Sequence, residues 1–434
     1  MKCHACGVES EFDAAFVKQG KAFRPKHLCP GCWVRRNNRS GSWFLLSILV
    51  AGVGAFILHQ IHPGALAGRL LLELSLVGLF LILAILPHEL GHAIAARALG
   101  WNVHQIVIGL GRPLFKWRCL GILLDVRAIP IAGATWMTPK DTRWFRVKRF
   151  LAVLAGPAVN AGLALAVIFI WQGGLDRFEF DALPIGPRLF LLANAMVAIT
   201  NLLPYQPKTG FALASDGKQL LQTLSFSKDA TRKSHAMRYT MEATICWQQS
   251  DVAGIRKWCD QGLALYPEDP HLLNLSGLAH LSDRDYAKAR EVFEKLLALE
   301  NQSAGIRFMF LNNLAYADVL SENPAWLPEA DAYSRDAYQA LPWSPAIAGT
   351  RGTVLVAIGK VEEGVELLKK SLKDAESPRS KAENSCHLSI AFAKTGNRDE
   401  ARKYLELAGQ FDAKCELLNR ARQTMASSQA EARS

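Results

Sequence analysis

The stretch Leu86-Pro87-His88-Glu89-Leu90-Gly91-His92, LPHELGH, closes an otherwise apolar run, LVGLFLILAI, over Leu76–Ile85. A charged side chain at mid-span costs roughly 2.5–3.5 kcal/mol on insertion scales, so ionisable groups there mark functional positions. On a helix His88 and His92 are four residues apart, which is about 40° around the axis at 3.6 residues per turn. Both imidazoles can reach one metal ion from the same face, with Glu89 beside them. Two histidine ligands and a glutamate general base form the zincin arrangement. Zinc in such a site brings the pKa of bound water down to about 7. From His92 to Gly100 is eight residues, roughly 12 Å of helix at 1.5 Å per residue. The pair therefore lies within the bilayer near one face, and a polar cavity must bring water to it.

Around this stretch the 434 residues, half of them hydrophobic, divide into three parts. Residues 1–40 form a short, basic, cysteine-bearing head. Residues 41–225 alternate long apolar runs with basic loops, and residues 226–434 read as a soluble, helix-rich tail. Four runs approach the roughly 20 residues that a membrane helix needs: Trp43–Ile61, Leu70–Leu99, Phe150–Trp171 and Leu189–Leu203, the last stopped by Pro204 and continuing as a broken helix. Lysine and arginine crowd one side of these spans. Arg35, Arg36 and Arg39 precede the first, and the connection from Gly100 to Arg149 carries nine such residues, against Arg69, Arg177 and Arg188 opposite. The positive-inside rule then places both termini in the cytoplasm of an integral protein of a prokaryotic inner or plasma membrane. No apolar h-region of a cleavable signal opens the chain. The net charge of +11 is explained by these membrane flanks, and without an arginine stripe or aromatic platform it does not point to nucleic acid.

The connection VHQIVIGLGRPLFKWRCLGILLDVRAIPIAG (Val103–Gly133) is β-branched and aromatic, and is punctuated by Gly109, Gly111, Pro113 and Gly121. That pattern predicts strands over 103–135, as β-hairpins lying at the membrane interface. The fold class is thus mainly α: a polytopic helical membrane core with interfacial hairpins, a small zinc ribbon and a C-terminal α-solenoid.

A hydrolytic zinc takes three protein ligands and keeps one position for water. The acid available in NLLPYQPKTGFALASDGKQLL is Asp216, after a stretch broken by Pro204, Pro207 and Gly210. Irregular backbone at membrane depth is tolerated only around protein or a wet cavity. Asp216 can also be read as an ordinary helix N-cap.

HELGH, the strand-rich VIGLGRPLFKWR…VRAIPIAGATW, RFLAVLAGPAVNAGLALA (Arg149–Ala166) and NLLP…SDG (Asn201–Gly217) occur in this order. Together they resemble the site-2 protease family of intramembrane zinc metalloproteases, over roughly residues 70–225. The resemblance implies His88, His92 and Asp216 as ligands of a catalytic zinc and Glu89 as the base. It places Asn160 and Asn201 near the site, on the substrate backbone or the developing oxyanion. It also implies hydrolysis of a peptide bond in a transmembrane protein substrate, whose helix must unwind and can pair with an edge strand of the hairpin region. Many members carry the aspartate soon after an NxxP sequence; here fifteen positions separate Asn201 from Asp216.

In the head, CHAC (Cys3, Cys6) and CPGC (Cys29, Cys32) supply four thiolates for a closed, structural zinc site. His4 and His27 are substitute ligands, and redox CxxC chemistry lacks an accompanying βαβ pattern. In the tail, small residues recur at Ala243, Gly277, Ala315, Gly352 and Ser389, and DRDYAKAREVFEKLLALE and NRDEARKYLELA read as second helices of pairs. This resembles tetratricopeptide repeats: five degenerate units, an insertion near SENPAWLP, and a concave surface for a cytoplasmic protein or peptide. His280 and His387 read as ordinary helix residues, Cys246, Cys259, Cys386 and Cys415 as packing, and ASSQAEARS at the end as unstructured. The competing functions are a non-catalytic membrane scaffold with structural zinc, for which Glu89 would be superfluous, and a transporter, which lacks the expected paired broken helices.

Overall fold

The computed structural model describes residues 2–10, 17–19, 26–30, 32–33, 50–54, 56–57, 60–61, 66–206, 214–300 and 304–431. They pack as two units, residues 1–33 with 242–434, and residues 34–241. The head contributes two antiparallel strands, β1 (Val17–Gln19) and β2 (Lys26–Leu28). Much of the expected first span, residues 43–49 among it, lies outside the described residues.

The second unit is built on α1 (Leu66–Ala98), α2 (Phe145–Gln172) and α3 (Ile185–Leu202). These are the three described helices long and apolar enough to cross a membrane. In lipid, the tails would give no hydrophobic drive between such helices, and close packing would have to hold them together. The buried stripe of α2 is accordingly small where it meets its neighbours: Ala152, Gly156, Asn160 and Ala164, each four residues after the last. Pro87 and Pro157 each remove one backbone donor inside a helix that nonetheless continues.

Between α1 and α2 the chain forms β3 (Trp101–Cys119) and β4 (Ile122–Pro139): residues 101–108 lie antiparallel to 133–139, and 113–119 antiparallel to 122–127, of which 123–126 also pair with 105–108. The expectation of hairpins in this connection holds: one pairing forms its base and a second hairpin its tip. The turn has positive φ at both Leu120 (51°) and Gly121 (79°), as a two-residue primed turn requires. Gly109 and Gly111, also at positive φ, lie where β3 leaves its partners in 133–139 for those in 122–127. A core of Ala93, Ala96, Trp101, Val103, Ile106, Ile108, Phe145 and Ala152 ties the foot of the hairpin to the end of α1 and the start of α2. Beyond α3 come α4 (Asp216–Leu224) and α5 (Lys228–Gln248).

The tail continues as α6 (Val252–Leu265), α7 (Pro270–Ser282), α8 (Tyr286–Ala298), α9 (Ala304–Leu320), α10 (Leu327–Ala340), α11 (Pro345–Ala357), α12 (Val361–Asp374), α13 (Pro378–Lys394), α14 (Arg398–Phe411) and α15 (Leu418–Glu431). The recurring small residues fall on α5, α7, α9, α11 and α13, and each of the last four helices packs on the helix that follows. A Cβ at Gly277 would meet the Phe293 ring at 2.5 Å, and Ser389 Oγ donates to Ala401 O at 2.8 Å. The SENPAWLP insertion forms a 3₁₀ turn, Pro324–Trp326, before α10. Trp326 lies against Arg290, whose guanidinium pairs with the fully buried Asp318 at 2.7 Å. Residues 426–431 belong to α15, so the chain end is helical further than its composition suggested.

Candidate active site

His88 and His92 sit one turn apart on α1, 4% and 6% exposed, while Leu86 and Leu90 of the same helix face outward. Two glycines let this polar face approach α2. A Cβ on Gly91 would stand 2.8 Å from the Ala155 carbonyl oxygen, and one on Gly156 would stand 2.9 Å from His88 Nε2 and closer to His92. Both imidazoles are oriented through Nδ1. His88 Nδ1 donates to Asn160 Oδ1 at 2.7 Å, and His92 Nδ1 to the Ala152 carbonyl at 2.9 Å. With their protons on Nδ1, the Nε2 lone pairs of both rings are left facing inward.

Asp216 completes the group. Its Oδ2 lies 3.0 Å from His88 Nε2 and 3.4 Å from His92 Nε2, and the two Nε2 atoms are 3.2 Å apart. A tetrahedral ion with bonds of about 2.0 Å holds its ligand atoms about 3.3 Å from one another. The triangle fits that size. Three electron-rich atoms, buried together, are also a donor set that a divalent cation satisfies at once.

The approach of Asp216 is built by its neighbours. Ser215 Oγ donates to Leu203 O (2.6 Å) and accepts from Tyr205 N (3.0 Å) and Lys218 N (3.3 Å). It caps α4 and pins the start of that helix to the exit of α3, so the long sequence interval between Asn201 and Asp216 is closed in space. Gly217 then packs on the backbone of Leu202. From α2, Arg149 reaches Thr223 Oγ1 (3.1 Å) and Gln219 Oε1 (3.4 Å) and covers the Phe226 ring, while Arg146 donates to Phe226 O at 3.1 Å. Both arginines clamp α4 and the turn behind it to α2.

Glu89, 5% exposed, points to β4 rather than into the triangle of ligands. Thr135 Oγ1 lies 2.7 Å from Glu89 Oε2, and Gly133 abuts the carboxylate so closely that a Cβ there would stand 2.6 Å from Glu89 Cγ.

The two asparagines part company. Asn160 is fully buried, and its amide is spent on structure: besides accepting from His88, it donates to Ala84 O (3.1 Å) and to Asn194 Oδ1 (2.9 Å). Asn201 lies on the last turn of α3 and donates to Val197 O at 2.9 Å, with no hydrogen bond to the three ligand candidates among the described residues. Thr135, Gly133, Asn194 and Ser215 were not singled out from sequence. Of these Ser215 alone had a local signal, a capping residue directly before an acid and a glycine.

In the other unit the four cysteine sulfurs lie within 4.8 Å of one another, with Cys6 and Cys29 Sγ 3.8 Å apart. Thiolates about 2.3 Å from a tetrahedral zinc are separated by about 3.8 Å, whereas a disulfide needs about 2.05 Å. Burial pushes the Cys3 thiol up, but backbone donors at Cys29, Cys6 and Ala5 outweigh it and bring it down to about 6. His4 Nδ1 accepts instead from the backbone N–H of His27 (3.1 Å), and neither histidine joins the cluster. The head is seated on the solenoid: Trp343 packs on the core of Cys3, Leu28 and Cys29, and Ser10 Oγ donates to Ala340 O at 2.6 Å.

Residues 76–182 match Peptidase family M50, and residues 270–303, which span α7 and α8, match a tetratricopeptide repeat. A candidate zinc metalloprotease of Chlamydia pneumoniae is 43% identical, the match covering 24% of this chain and 21% of that protein. A second, from Synechocystis sp., is 40% identical over 14% of this chain and 17% of its own length. The chain thus spans about a fifth of the length of the curated relatives it matches. Among solved structures, the tetratricopeptide-repeat protein YrrB aligns at 18% identity and TM-score 0.28, covering 43% of this chain and 92% of its own. TTC0263, a tetratricopeptide-repeat protein of Thermus thermophilus, aligns at 18% identity and TM-score 0.36, covering 44% and 99%. The chain therefore carries a Peptidase family M50 (site-2 protease) domain at residues 76–182, together with a tetratricopeptide repeat and an N-terminal four-cysteine cluster.

Proposed function

We propose that this protein is an intramembrane zinc endopeptidase that hydrolyses a peptide bond in or near a transmembrane segment of another membrane protein. The observation that carries the reading is the convergence of His88 Nε2, His92 Nε2 and Asp216 Oδ2 at 3.0–3.4 Å, buried among apolar helices with Glu89 adjacent in sequence. Zinc held by these three residues supplies a polarising charge and an activated water. Glu89 would take a proton from the attacking water and return it to the departing amine. Asn160 and Asn194 hold His88 in its ligating tautomer. Asn201, at the end of α3, is the asparagine whose amide remains the candidate for contact with substrate backbone or oxyanion. The cysteine head binds a second, structural zinc. The repeats recruit a cytoplasmic protein or peptide, both termini face the cytoplasm, and the membrane is a prokaryotic inner or plasma membrane.

The test is Glu89→Gln in purified, reconstituted protein with candidate transmembrane substrates. Zinc content is expected to hold while cleavage falls by at least about a thousandfold, since the base is lost and the ligands are not. Cleavage by the variant at the wild-type rate would overturn the reading.

Residues 105–108 of β3 have partners on both sides, whereas residues 133–139 of β4 pair on one side alone, with 101–108, among the described residues. An unwound substrate segment adds to an edge of β4 beside Glu89, where main-chain hydrogen bonds hold the scissile region extended. N-methylating the substrate amides that flank the scissile bond is then expected to raise KM by about tenfold or more for each ladder bond removed at about 1.4 kcal/mol. Unchanged kinetics would remove the pairing from the account.

A further inference from the structure

We propose that Thr135, on β4, is a positioning residue that sets the orientation of the Glu89 carboxylate. The inference rests on the peptidase reading and deepens it. Three observations support it. The Thr135 hydroxyl carries one proton and has two acceptors in reach, Glu89 Oε2 at 2.7 Å and Glu89 O at 3.1 Å; the shorter contact takes the proton. A hydrogen bond to a carboxylate is also the stronger of the two. Gly133, two residues earlier, lies on the same face of the strand and leaves the space that the carboxylate fills. The β4 face toward α1 therefore reads glycine, then threonine: one makes room for the base and the other holds it. Finally, Glu89 has three side-chain torsions, and none of the neighbours that fix His88 and His92 fixes it. Those rings are tied through Asn160 and Ala152 on α2, whereas the base is tied to the hairpin.

The hairpin thus does more than offer an edge. Its seating on α1 determines which oxygen of Glu89 is engaged, so Oε2 is committed to Thr135 and Oε1 is the atom left for proton transfer. A hydrogen bond to a charged group is worth about 10–100-fold when removed.

The experiment measures binding of a dipeptide hydroxamate to the full-length, zinc-loaded protein in nanodiscs. A hydroxamate chelates through its two oxygens and gives its hydroxyl proton to the neighbouring base, so its affinity reports the position of the base without any cleavage. Thr135→Val removes the hydroxyl and keeps the shape; it is expected to weaken binding by about 10–100-fold at unchanged zinc content and melting temperature. Thr135→Ser, which restores the hydroxyl, is expected to bind within about threefold of wild type. Equal binding by Thr135→Val, in a preparation where Glu89→Gln is strongly weakened, would overturn the role of Thr135 alone. Failure of Thr135→Ser to improve on Thr135→Val would also overturn it, because the methyl group and not the hydroxyl would then matter. Wild-type affinity in Glu89→Gln would instead overturn the assignment of the base, and the peptidase reading with it.

Discussion

Asp216→Ala is expected to empty the membrane-site metal while leaving the cysteine head loaded, lowering the metal content from two ions per chain to one. His88 and His92 come from one helix and supply a single edge of the ligand triangle. The third corner, and its negative charge, come from Asp216 at the start of α4, 3.0 and 3.4 Å from the two ring nitrogens. Removing an outer-shell partner of a metal ligand costs about 10–100-fold in affinity, and loss of a ligand itself exceeds that. Asp216 would also counter the positive charge that the ion brings among residues that are each 7% exposed or less. Metal analysis of the purified protein by plasma mass spectrometry checks the ratio. Two ions per chain in the variant would remove Asp216 from the site.

Gly217→Ala is expected to have nearly the same consequence without touching a ligand. A Cβ at this position would lie 2.5 Å from the Leu202 carbonyl carbon and 3.1 Å from its Cα, and closer still to its oxygen. These are backbone atoms of the last turn of α3, which cannot step aside as a flexible side chain can. α4 must therefore back away, and Asp216, at its first position, moves with it. Overpacking of this kind costs about 1–3 kcal/mol, and a shift of about 1 Å in a ligand breaks a bond of about 2.0 Å. The variant should show a lowered melting temperature and the metal content of Asp216→Ala. Gly162→Ala, on α2 with nothing within 4 Å of the added methyl, is the matched control and should keep both properties. A fully loaded Gly217→Ala protein would mean that α4 is not held against α3.

How much of this was legible in the sequence depends on the range of the interaction. HELGH places both histidines by local helical geometry alone, and the two CxxC pairs do the same for the cysteines within their knuckles. Asp216 was legible as the available acid but not as a near neighbour, because its approach depends on Ser215 bonding Leu203 and Tyr205 across an excursion of the chain. The hairpin region was legible as strand-rich, but not the second pairing of residues 105–108 with 123–126, which folds the tip hairpin back on its base. Asn160 was found, but its buried partners turn its amide toward His88, Ala84 and Asn194, and no local pattern carries that information. Thr135 and Glu89 are 46 positions apart, on a strand and a helix whose relative register only the packed structure sets. The seating of the head on Trp343 and Ala340 belongs to the same class, since Ser10 and Ala340 are 330 positions apart.

Two zinc centres of different chemistry are expected in one chain, one held by the four cysteines and one by His88, His92 and Asp216. Zinc-edge X-ray absorption on the full-length protein at two ions per chain tests this most directly. The expected spectrum is an equal mixture of a four-sulfur shell at about 2.3 Å and a nitrogen/oxygen shell at about 2.0 Å, with Asp216→Ala removing the second component alone. A spectrum of sulfur ligands only, at one ion per chain in the wild type, would contradict the account.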